Sequence, residues 1–156
     1  MKGNPQSGIQ ECPGNEQTPA GDRRWQYRSG ACLENGGKCV QKDDMAEVLD
    51  KMVAADVIDM ETHVYFFTMK GQMKTLIDRT VPRYTEISNK GFYFIVAAAD
   101  SRKQAMERTL EGFRAFTSCL NRSKEKGIIY GTGAWKKGDI KGSRAMTQAY
   151  EMGTKV

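Results

Sequence analysis

The stretch Gly91-Phe92-Tyr93-Phe94-Ile95-Val96-Ala97 is the clearest secondary-structure signal in the sequence. It is a run of aromatic and β-branched residues, introduced by a glycine and short enough to be one strand. An apolar run without polar alternation is typical of a strand buried on both faces, as in parallel sheets. We therefore predict a central parallel strand here.

Upstream of this strand, the pattern predicts a helix followed by a strand. Residues 44–55 have the apolar spacing of a helix, with Asp44 and Glu47 placed as a capping box. The predicted inward face of this helix consists of Met45, Val48, Leu49, Met52 and Val53. Residues 56–60 are predicted to form a short strand, although Asp59 and Glu61 interrupt the apolar run that a central parallel strand prefers.

Between the two predicted strands, Thr68 is expected to cap a second helix that ends at Pro82. Downstream, Ser101 and Gln104 form a capping-box pattern that opens a third helix. Its predicted buried side carries Met106, Leu110, Phe113, and Phe116 or Thr117. Residues 127–130 are predicted as a strand and residues 143–152 as a last helix. The residues expected to face inward from that helix are Met146, Ala149 and Tyr150.

Helices thus alternate with strands, and the connections are long enough only for parallel pairing. The predicted fold class is α/β, with a parallel sheet and helices on both faces. Ligands of such folds bind beyond the carboxyl ends of the strands, so the loops there are where function is expected.

Composition fits one soluble domain. The chain has 156 residues, of which 39% are hydrophobic and 28% are charged. Its net charge is +5, and its lysine and arginine residues are interspersed with aspartate and glutamate. This interspersion favours a solvated surface over a nucleic-acid footprint. The sequence has no long apolar span and no secretory signal, so we expect neither membrane association nor export, and a cytoplasmic location.

Residues 1–30 do not show the pattern of the rest of the chain. Three of the four prolines and seven of the sixteen glycines lie before residue 42. We predict an irregular or disordered segment over residues 1–30, because it has too little apolar surface to offset the entropy of ordering. The globular domain is expected over residues 31–156.

Three loops are predicted at the carboxyl edge of the sheet, over residues 61–68, 97–101 and 131–139. The first contains Tyr65, Phe66 and Phe67, which would suit a flat ring ligand. The alternative is that these aromatic residues only cover the sheet edge. The second loop has small residues followed by Asp100. The third is rich in glycine but lacks phosphate-loop spacing, so a packing turn is favoured there.

Several segments also resemble a known family. "HVYFFTMKGQMKTLIDRTVPRYTEISNKGFYFIVAAAD" and "KGIIYGTGAWKKGDIKGSRAMTQAYEMG" are the most specific. Over about residues 30–156, the chain resembles the flavodoxin-fold NADPH-dependent FMN reductases, in the subgroup close to iron-sulfur flavoproteins and WrbA-like proteins. The resemblance implies a flavodoxin-like three-layer αβα fold with a five-stranded sheet, bound FMN, NAD(P)H as reductant, and a homodimer or homotetramer.

Position by position, the resemblance implies two loops that hold the flavin. The predicted cofactor-binding residues are Val64, Tyr65, Phe66, Phe67, Thr68, Met69, Ala98, Ala99 and Asp100. Lys74, Asp78 and Arg79 match a family helix motif that we interpret as mainly structural. No catalytic side chain and no metal ligand is predicted, because the flavin itself carries the chemistry.

The chain also departs from the family pattern. The amino-terminal strand and helix, with the phosphate loop between them, are missing or degenerate, and Gly3-Asn4-Pro5-Gln6 is only a faint echo of that loop. His63 stands where the family usually has proline, and we interpret it as a drifted loop position. Iron-sulfur relatives carry four grouped cysteines, whereas only Cys32 and Cys39 match here. Since a cluster needs about four thiolates, we predict free thiols and no cluster.

Three functions remain open at this point. The first is an FMN-dependent NAD(P)H oxidoreductase that passes electrons to a quinone, a flavin or another small acceptor. The second is a flavodoxin-type electron carrier, which the basic charge balance disfavours. The third is a truncated remnant that no longer binds FMN, because its phosphate site is lost.

Overall fold

The computed structural model describes residue 41 and residues 43–156. The predicted irregular segment, the phosphate-loop echo and the cysteine pattern lie outside these residues. The elements, in chain order, are α1 (Met45–Ala54), β1 (Val57–Tyr65), β2 (Thr68–Met69), α2 (Gly71–Asp78), a 3₁₀ turn (Tyr84–Glu86), β3 (Gly91–Ala97), a second 3₁₀ turn (Lys103–Ala105), α3 (Glu107–Ser118), β4 (Lys124–Gly131) and α4 (Arg144–Gly153).

The described strands form one sheet in the order β2-β1-β3-β4. Strand β3 pairs in parallel with β1 on one side and with β4 on the other. The short strand β2 is antiparallel to the end of β1. The predicted parallel α/β sheet is therefore confirmed, with β3 between the two other long strands.

The core lies against both faces of β3. Phe92, Phe94 and Val96 are fully buried on one face, where the ring of Phe94 lies 5.2 Å from that of Phe113 in α3. On the other face, α4 packs over β4 at Gly127, where an added Cβ would lie 2.6 Å from the Met152 sulfur. Helices thus cover opposite faces of the sheet, and this confirms the three-layer αβα arrangement.

Strand β1 is longer than predicted and is buried on only one face. It runs to Tyr65, and its burial alternates residue by residue. Met60 and Thr62 are buried, whereas Asp59 and Glu61 point to solvent. The two acidic residues that interrupted the sequence pattern therefore occupy the uncovered face, as the two-residue period of a strand allows.

Two helix starts differ from the prediction. Thr68 does not cap α2, because it belongs to β2; the helix begins at Gly71 after Lys70, and it ends at Asp78, before Pro82. At α1, it is the side chain of Asp43 that accepts a hydrogen bond from the Met45 amide, at 3.1 Å. A side chain one residue earlier than predicted thus satisfies an amide of the first turn.

The start of α3 and the face of α4 also differ. A 3₁₀ turn over Lys103–Ala105 precedes α3, and neither this turn nor α3 has a side-chain hydrogen bond at its cap, so the predicted capping box of Ser101 and Gln104 is not formed. In α4, the buried residue is Ala145, while Met146 is 49% and Tyr150 77% exposed. The prediction that these two residues face inward was wrong.

Ion pairs hold α1 against the segment that follows α2. The guanidinium of Arg79 donates two hydrogen bonds to the Asp43 carboxylate, at 2.7 and 2.8 Å. Arg83 donates to both Asp50 and Glu86. Within α2, Lys74 pairs with Asp78 one turn away. These contacts agree with a structural role for the Lys74, Asp78 and Arg79 motif.

Within the described part of the chain, no helix has the length and apolar character needed to cross a membrane.

Candidate flavin site

The two predicted flavin loops follow neighbouring strands. His63 near the end of β1 lies opposite Ala97 at the end of β3. Because the strands are parallel, the loop that begins at Val64 and the turn that begins at Ala98 emerge at the same edge of the sheet. The structure therefore brings the two predicted segments next to each other.

The first loop is a two-residue β-hairpin. Val64 pairs with Met69, and Tyr65 pairs with Thr68. The turn residues Phe66 and Phe67 have φ angles of +49° and +64°. Positive φ at both central positions is the geometry of type I′ turns, which favour asparagine and glycine. Two consecutive aromatic residues in this conformation are strained, and such strain is concentrated at functional sites.

The hairpin presents its aromatic rings to solvent. Phe66 is 98% exposed, Tyr65 58% and Phe67 51%. Phe66 therefore covers no part of the described sheet, which weighs against the alternative that these rings only shield its edge. At the base of the hairpin, the side chains of Val64 and Met69 pack against the core. The predicted loop thus combines two anchoring residues with an exposed aromatic tip.

Neighbouring side chains support the hairpin. The ring of His63 stacks on Tyr65 with centroids 6.4 Å apart and planes 18° apart. The guanidinium carbon of Arg108 lies 6.0 Å from the centre of the Phe67 ring. The hydroxyl of Thr62 accepts a hydrogen bond from the Lys70 amide at 3.1 Å, which fixes the return of the chain into α2. His63 therefore has a packing role in the hairpin.

The second turn is held by Asp100. Its carboxylate accepts hydrogen bonds from the Arg102 amide at 2.8 Å and from the Arg102 guanidinium at 3.0 and 2.7 Å. The guanidinium hydrogen bond, followed by the amide, lowers the pKa of Asp100 to about 2. The carboxylate is thus ionised at neutral pH and engaged within its own turn.

The third loop is bonded to the second. The Ala98 amide donates to the Gly131 carbonyl at 2.9 Å, and the Ala98 carbonyl accepts from the Ala134 amide at 3.0 Å. The Asp100 carbonyl also accepts from the Gly133 amide, at 3.1 Å. The two loops therefore form one hydrogen-bonded unit beside the aromatic hairpin.

Gly131 itself has a packing role. It is buried, and an added Cβ would lie 3.1 Å from Ile140 Cδ1 and 3.2 Å from the Ala97 Cβ. This close approach fits the interpretation of a packing turn at the start of the third loop.

Further along the same loop, Trp135 is 80% exposed, and it was not among the predicted site residues. Its placement between glycines in a loop at a strand end was the signal that could have identified it.

Comparison with known proteins agrees with this geometry. The model of the family described as NADPH-dependent FMN reductase matches residues 20–121, which are about two thirds of the chain. The chain belongs to this family.

Individual relatives match over shorter stretches. An iron-sulfur flavoprotein of Archaeoglobus fulgidus is 39% identical over 64 residues, which are 41% of this chain and 29% of the relative. An iron-sulfur flavoprotein of Methanocaldococcus jannaschii is 37% identical over 87 residues, which are 54% of this chain and 44% of the relative. The chain thus spans less than half the length of either relative.

Solved structures of the same fold are more distant in sequence. The Trp repressor binding protein from Bacillus subtilis has a TM-score of 0.62 at 21% identity, covering 80% of this chain and 88% of the other. The apo form of an NADH:FMN oxidoreductase has a TM-score of 0.56 at 13% identity, covering 78% of this chain and 62% of the other. These likenesses confirm the flavodoxin-like fold.

The described residues fit the ring of the family's flavin. A strained, exposed aromatic hairpin stands beside a turn of small residues, Ala98 and Ala99, which lets a flat ligand approach the backbone. The degenerate phosphate-loop segment lies outside the described residues. Among the described residues, no group of three or more histidine, cysteine, aspartate or glutamate side chains is placed to hold a metal ion.

Proposed function

We propose that this protein is an FMN-dependent NAD(P)H oxidoreductase that passes electrons to a quinone, a flavin or another small acceptor. The observation that carries the proposal is the strained hairpin at Phe66 and Phe67, which exposes aromatic rings beside the Ala98–Asp100 turn. Exposed aromatic surface and backbone strain both have a cost, and a planar ligand covering the hairpin would account for both.

Each part of the site has a distinct role in this proposal. Tyr65 and Phe66 stack on the flavin ring and exclude water from one side of it. The backbone of Ala98–Asp100 lines the ring edge, and the Arg102 contacts to Asp100 hold that backbone in place. When bound, FMN would accept hydride from NAD(P)H and would pass the electrons on to an acceptor. No side chain is required as a nucleophile.

Two titrations test this proposal. FMN is added to the purified chain while the visible spectrum is recorded, and NADPH is then added under anaerobic conditions. We expect stoichiometric binding followed by rapid bleaching of the flavin absorbance. Binding without bleaching would instead identify an electron carrier, and no binding would identify a remnant that has lost the cofactor.

A matched pair of variants locates the site. Phe66→Ala removes the exposed hairpin ring, whereas Tyr150→Ala removes an exposed ring on α4, near Met152 and the amino end of β4. We expect Phe66→Ala to weaken FMN binding by about tenfold, since aromatic stacking contributes on the order of 1 kcal/mol. Tyr150→Ala should leave FMN binding unchanged. Equal effects of the two variants would place the flavin elsewhere.

The assembly and the location are also proposals, supported by the resemblance to the family. We expect a homodimer or a homotetramer in solution, which light scattering of the purified chain would measure. Met146 and Tyr150 on α4 are exposed apolar residues that a second copy could cover. We propose a cytoplasmic location and a small-molecule acceptor, with no nucleic-acid partner.

A further inference from the structure

We propose that Arg108 raises the reduction potential of the flavin in the candidate site, because its positive charge beside the aromatic hairpin favours the reduced form of the cofactor. This inference rests on the proposed function and adds to it a residue outside the predicted cofactor-binding set. Arg108 lies in the first turn of α3, and its side chain reaches the hairpin that follows β1.

One face of α3 packs against the hairpin through two residues. Arg108 and Gly112 are four positions apart, so they lie on the same face of the helix. The guanidinium carbon of Arg108 lies 6.0 Å from the centre of the Phe67 ring. At Gly112, an added Cβ would lie 2.8 Å from the Met69 Cε, so the absence of a side chain there leaves room for β2. The contact of Arg108 with the hairpin is therefore part of a closely packed joint between α3 and β2.

Arg108 is also close in the chain to the second flavin segment. The Ala98–Asp100 turn is followed by the 3₁₀ turn Lys103–Ala105 and then by α3. The hairpin and the Ala98–Asp100 turn emerge at the same edge of the sheet, because β1 and β3 are parallel. Arg108 therefore stands at the edge where the flavin ring is proposed to lie, with its guanidinium against Phe67.

The charge of Arg108 is not neutralised by a carboxylate within residues 43–156. No carboxylate there forms an ion pair with its guanidinium. The preceding residue, Glu107, instead accepts a hydrogen bond from the Tyr130 hydroxyl at 3.0 Å and lies 4.0 Å from the Arg114 guanidinium. The charge of Arg108 is thus available to a ligand at this edge.

The first turn of a helix is an unfavourable place for a cation. The free amides at the amino end of a helix carry a partial positive charge, so a positively charged side chain is destabilising there. Arg108 is exposed, and its distance from Phe67 is at the outer limit of a cation–π contact. The fold therefore gains little from a cation at this position, whereas a ligand that becomes negatively charged beside it would use one.

Reduction of the flavin creates such a charge. Hydride transfer moves two electrons and one proton from NAD(P)H to the ring, which leaves NAD(P)+ and adds one negative charge to the flavin. A fixed cation nearby stabilises the charged reduced ring more than the neutral oxidised ring. We expect Arg108 to favour binding of the reduced flavin over the oxidised flavin by about tenfold, which for a two-electron couple corresponds to about 30 mV.

The test measures the reduction potential of the bound flavin, so that no turnover is involved. The FMN-loaded chain is reduced stepwise in a potentiometric titration with redox mediators, and a separate fluorescence titration with FMN measures the affinity of the oxidised form. Arg108→Gln should lower the potential by about 30 mV, the equivalent of the tenfold change. Arg108→Lys keeps the charge and should retain most of the potential of the unaltered chain.

Arg122→Gln is the matched control. Arg122 is exposed and lies between α3 and β4, near the amino edge of the sheet. Since α3 has 12 residues, it is about 18 Å long and separates the charge of Arg122 from that of Arg108. Arg122→Gln should therefore leave the potential unchanged. Added salt should reduce the difference between Arg108→Gln and the unaltered chain, because an exposed charge is screened.

The outcomes separate the two proposals. If the chain fails to bind FMN, the proposed function is overturned, and this inference falls with it. If FMN binds but Arg108→Gln shifts the potential no more than Arg122→Gln does, only the role of Arg108 is overturned. If Arg108→Lys lowers the potential as far as Arg108→Gln, the charge is not the cause, and the inference is likewise overturned.

Discussion

Phe66 combines a φ angle of +49° with 98% exposure, so its side chain stabilises the described fold very little while its backbone is strained. Asparagine tolerates the left-handed conformation better than phenylalanine does. We therefore expect Phe66→Asn to raise the free energy of unfolding by about 1 kcal/mol, measured by urea denaturation in the absence of FMN. The same variant should bind FMN more weakly, because it lacks the ring.

A comparison variant separates strain from the loss of an exposed ring. Tyr150 is also exposed, but it lies in helix α4, where asparagine is less favourable. Tyr150→Asn should therefore lower stability slightly. If Phe66→Asn were no more stable than the unaltered chain, strain at the hairpin would not be a property of the protein in solution.

Asp100 provides a pH-dependent test of the second turn. Its pKa is lowered to about 2 by the Arg102 guanidinium and then by the Arg102 amide. A lowered folded-state pKa means that the stabilisation is fully present above the unfolded-state value, near pH 4, and is lost as the pH falls through about 2. We expect a carbon NMR titration of the Asp100 carboxyl to show a midpoint near pH 2.

Replacing the guanidinium tests the cause of this shift. In Arg102→Gln, the Asp100 midpoint should rise towards the ordinary aspartate value, while the amide contact keeps it somewhat low. A midpoint that stays near pH 2 in the variant would mean that Arg102 is not the principal cause.

At the level of single residues, the sequence identified the aromatic positions but not their conformation. Tyr65, Phe66 and Phe67 were predicted at the sheet edge, and the structure places them there. The hairpin was missed because its central residues are aromatic, whereas two-residue turns are usually recognised by asparagine and glycine. Trp135 was not selected because the glycine-rich loop that contains it lacks phosphate-loop spacing, so the loop was interpreted as a packing turn.

At the level of elements, the sequence pattern was sufficient to predict the bounds of an element that is strongly buried. β3 was predicted with its observed bounds, because all of its residues from Phe92 to Ala97 are apolar. The buried face of α4 was predicted wrongly. In a short helix with few apolar residues, the sequence pattern is compatible with more than one buried face. Small Ala145, and not larger Met146, is the buried residue.

The contact between β4 and α4 gives an element-scale prediction. A Cβ at Gly127 would lie 2.6 Å from the Met152 sulfur and 3.0 Å from Tyr93 Cδ1. We expect Gly127→Ala to lower the free energy of unfolding by about 1 kcal/mol, since the flexible end of Met152 can move only partly out of the way. Urea denaturation would measure the change.

A double-mutant cycle identifies Met152 as the cause. In a Met152→Ala background, the added methyl group of Gly127→Ala meets empty space on the helix side, so its cost should fall to a few tenths of a kcal/mol or reverse. An equal cost in both backgrounds would attribute the effect to Tyr93.

At the level of the whole molecule, one face of β1 is left exposed by the other described residues, and this explains the acidic residues within a parallel strand. A strand covered on both faces reads as continuously apolar, whereas β1 alternates, with Asp59 and Glu61 in solvent. The sequence carried this information, because Asp59 and Glu61 interrupt the apolar run that a central parallel strand prefers. The acidic residues in the pattern therefore indicated a face of β1 that the other described residues leave exposed.

The free edge of β1 gives the last prediction. Among the described residues, β1 pairs with β3 along its length, but its other edge pairs only at Val64 and Tyr65, with β2. Successive amides of a strand point to opposite edges, so alternate amides between Val57 and His63 have no strand partner in the described structure. We expect these amides to exchange with solvent at least about tenfold faster than the alternate amides directed towards β3. Residue-resolved hydrogen exchange by NMR would measure the difference, with the amides of β3, which is paired on both sides, as the slow reference. Uniformly slow exchange along β1 would contradict the prediction, because it would require a further strand, from this chain or from a second copy, to occupy that edge in solution.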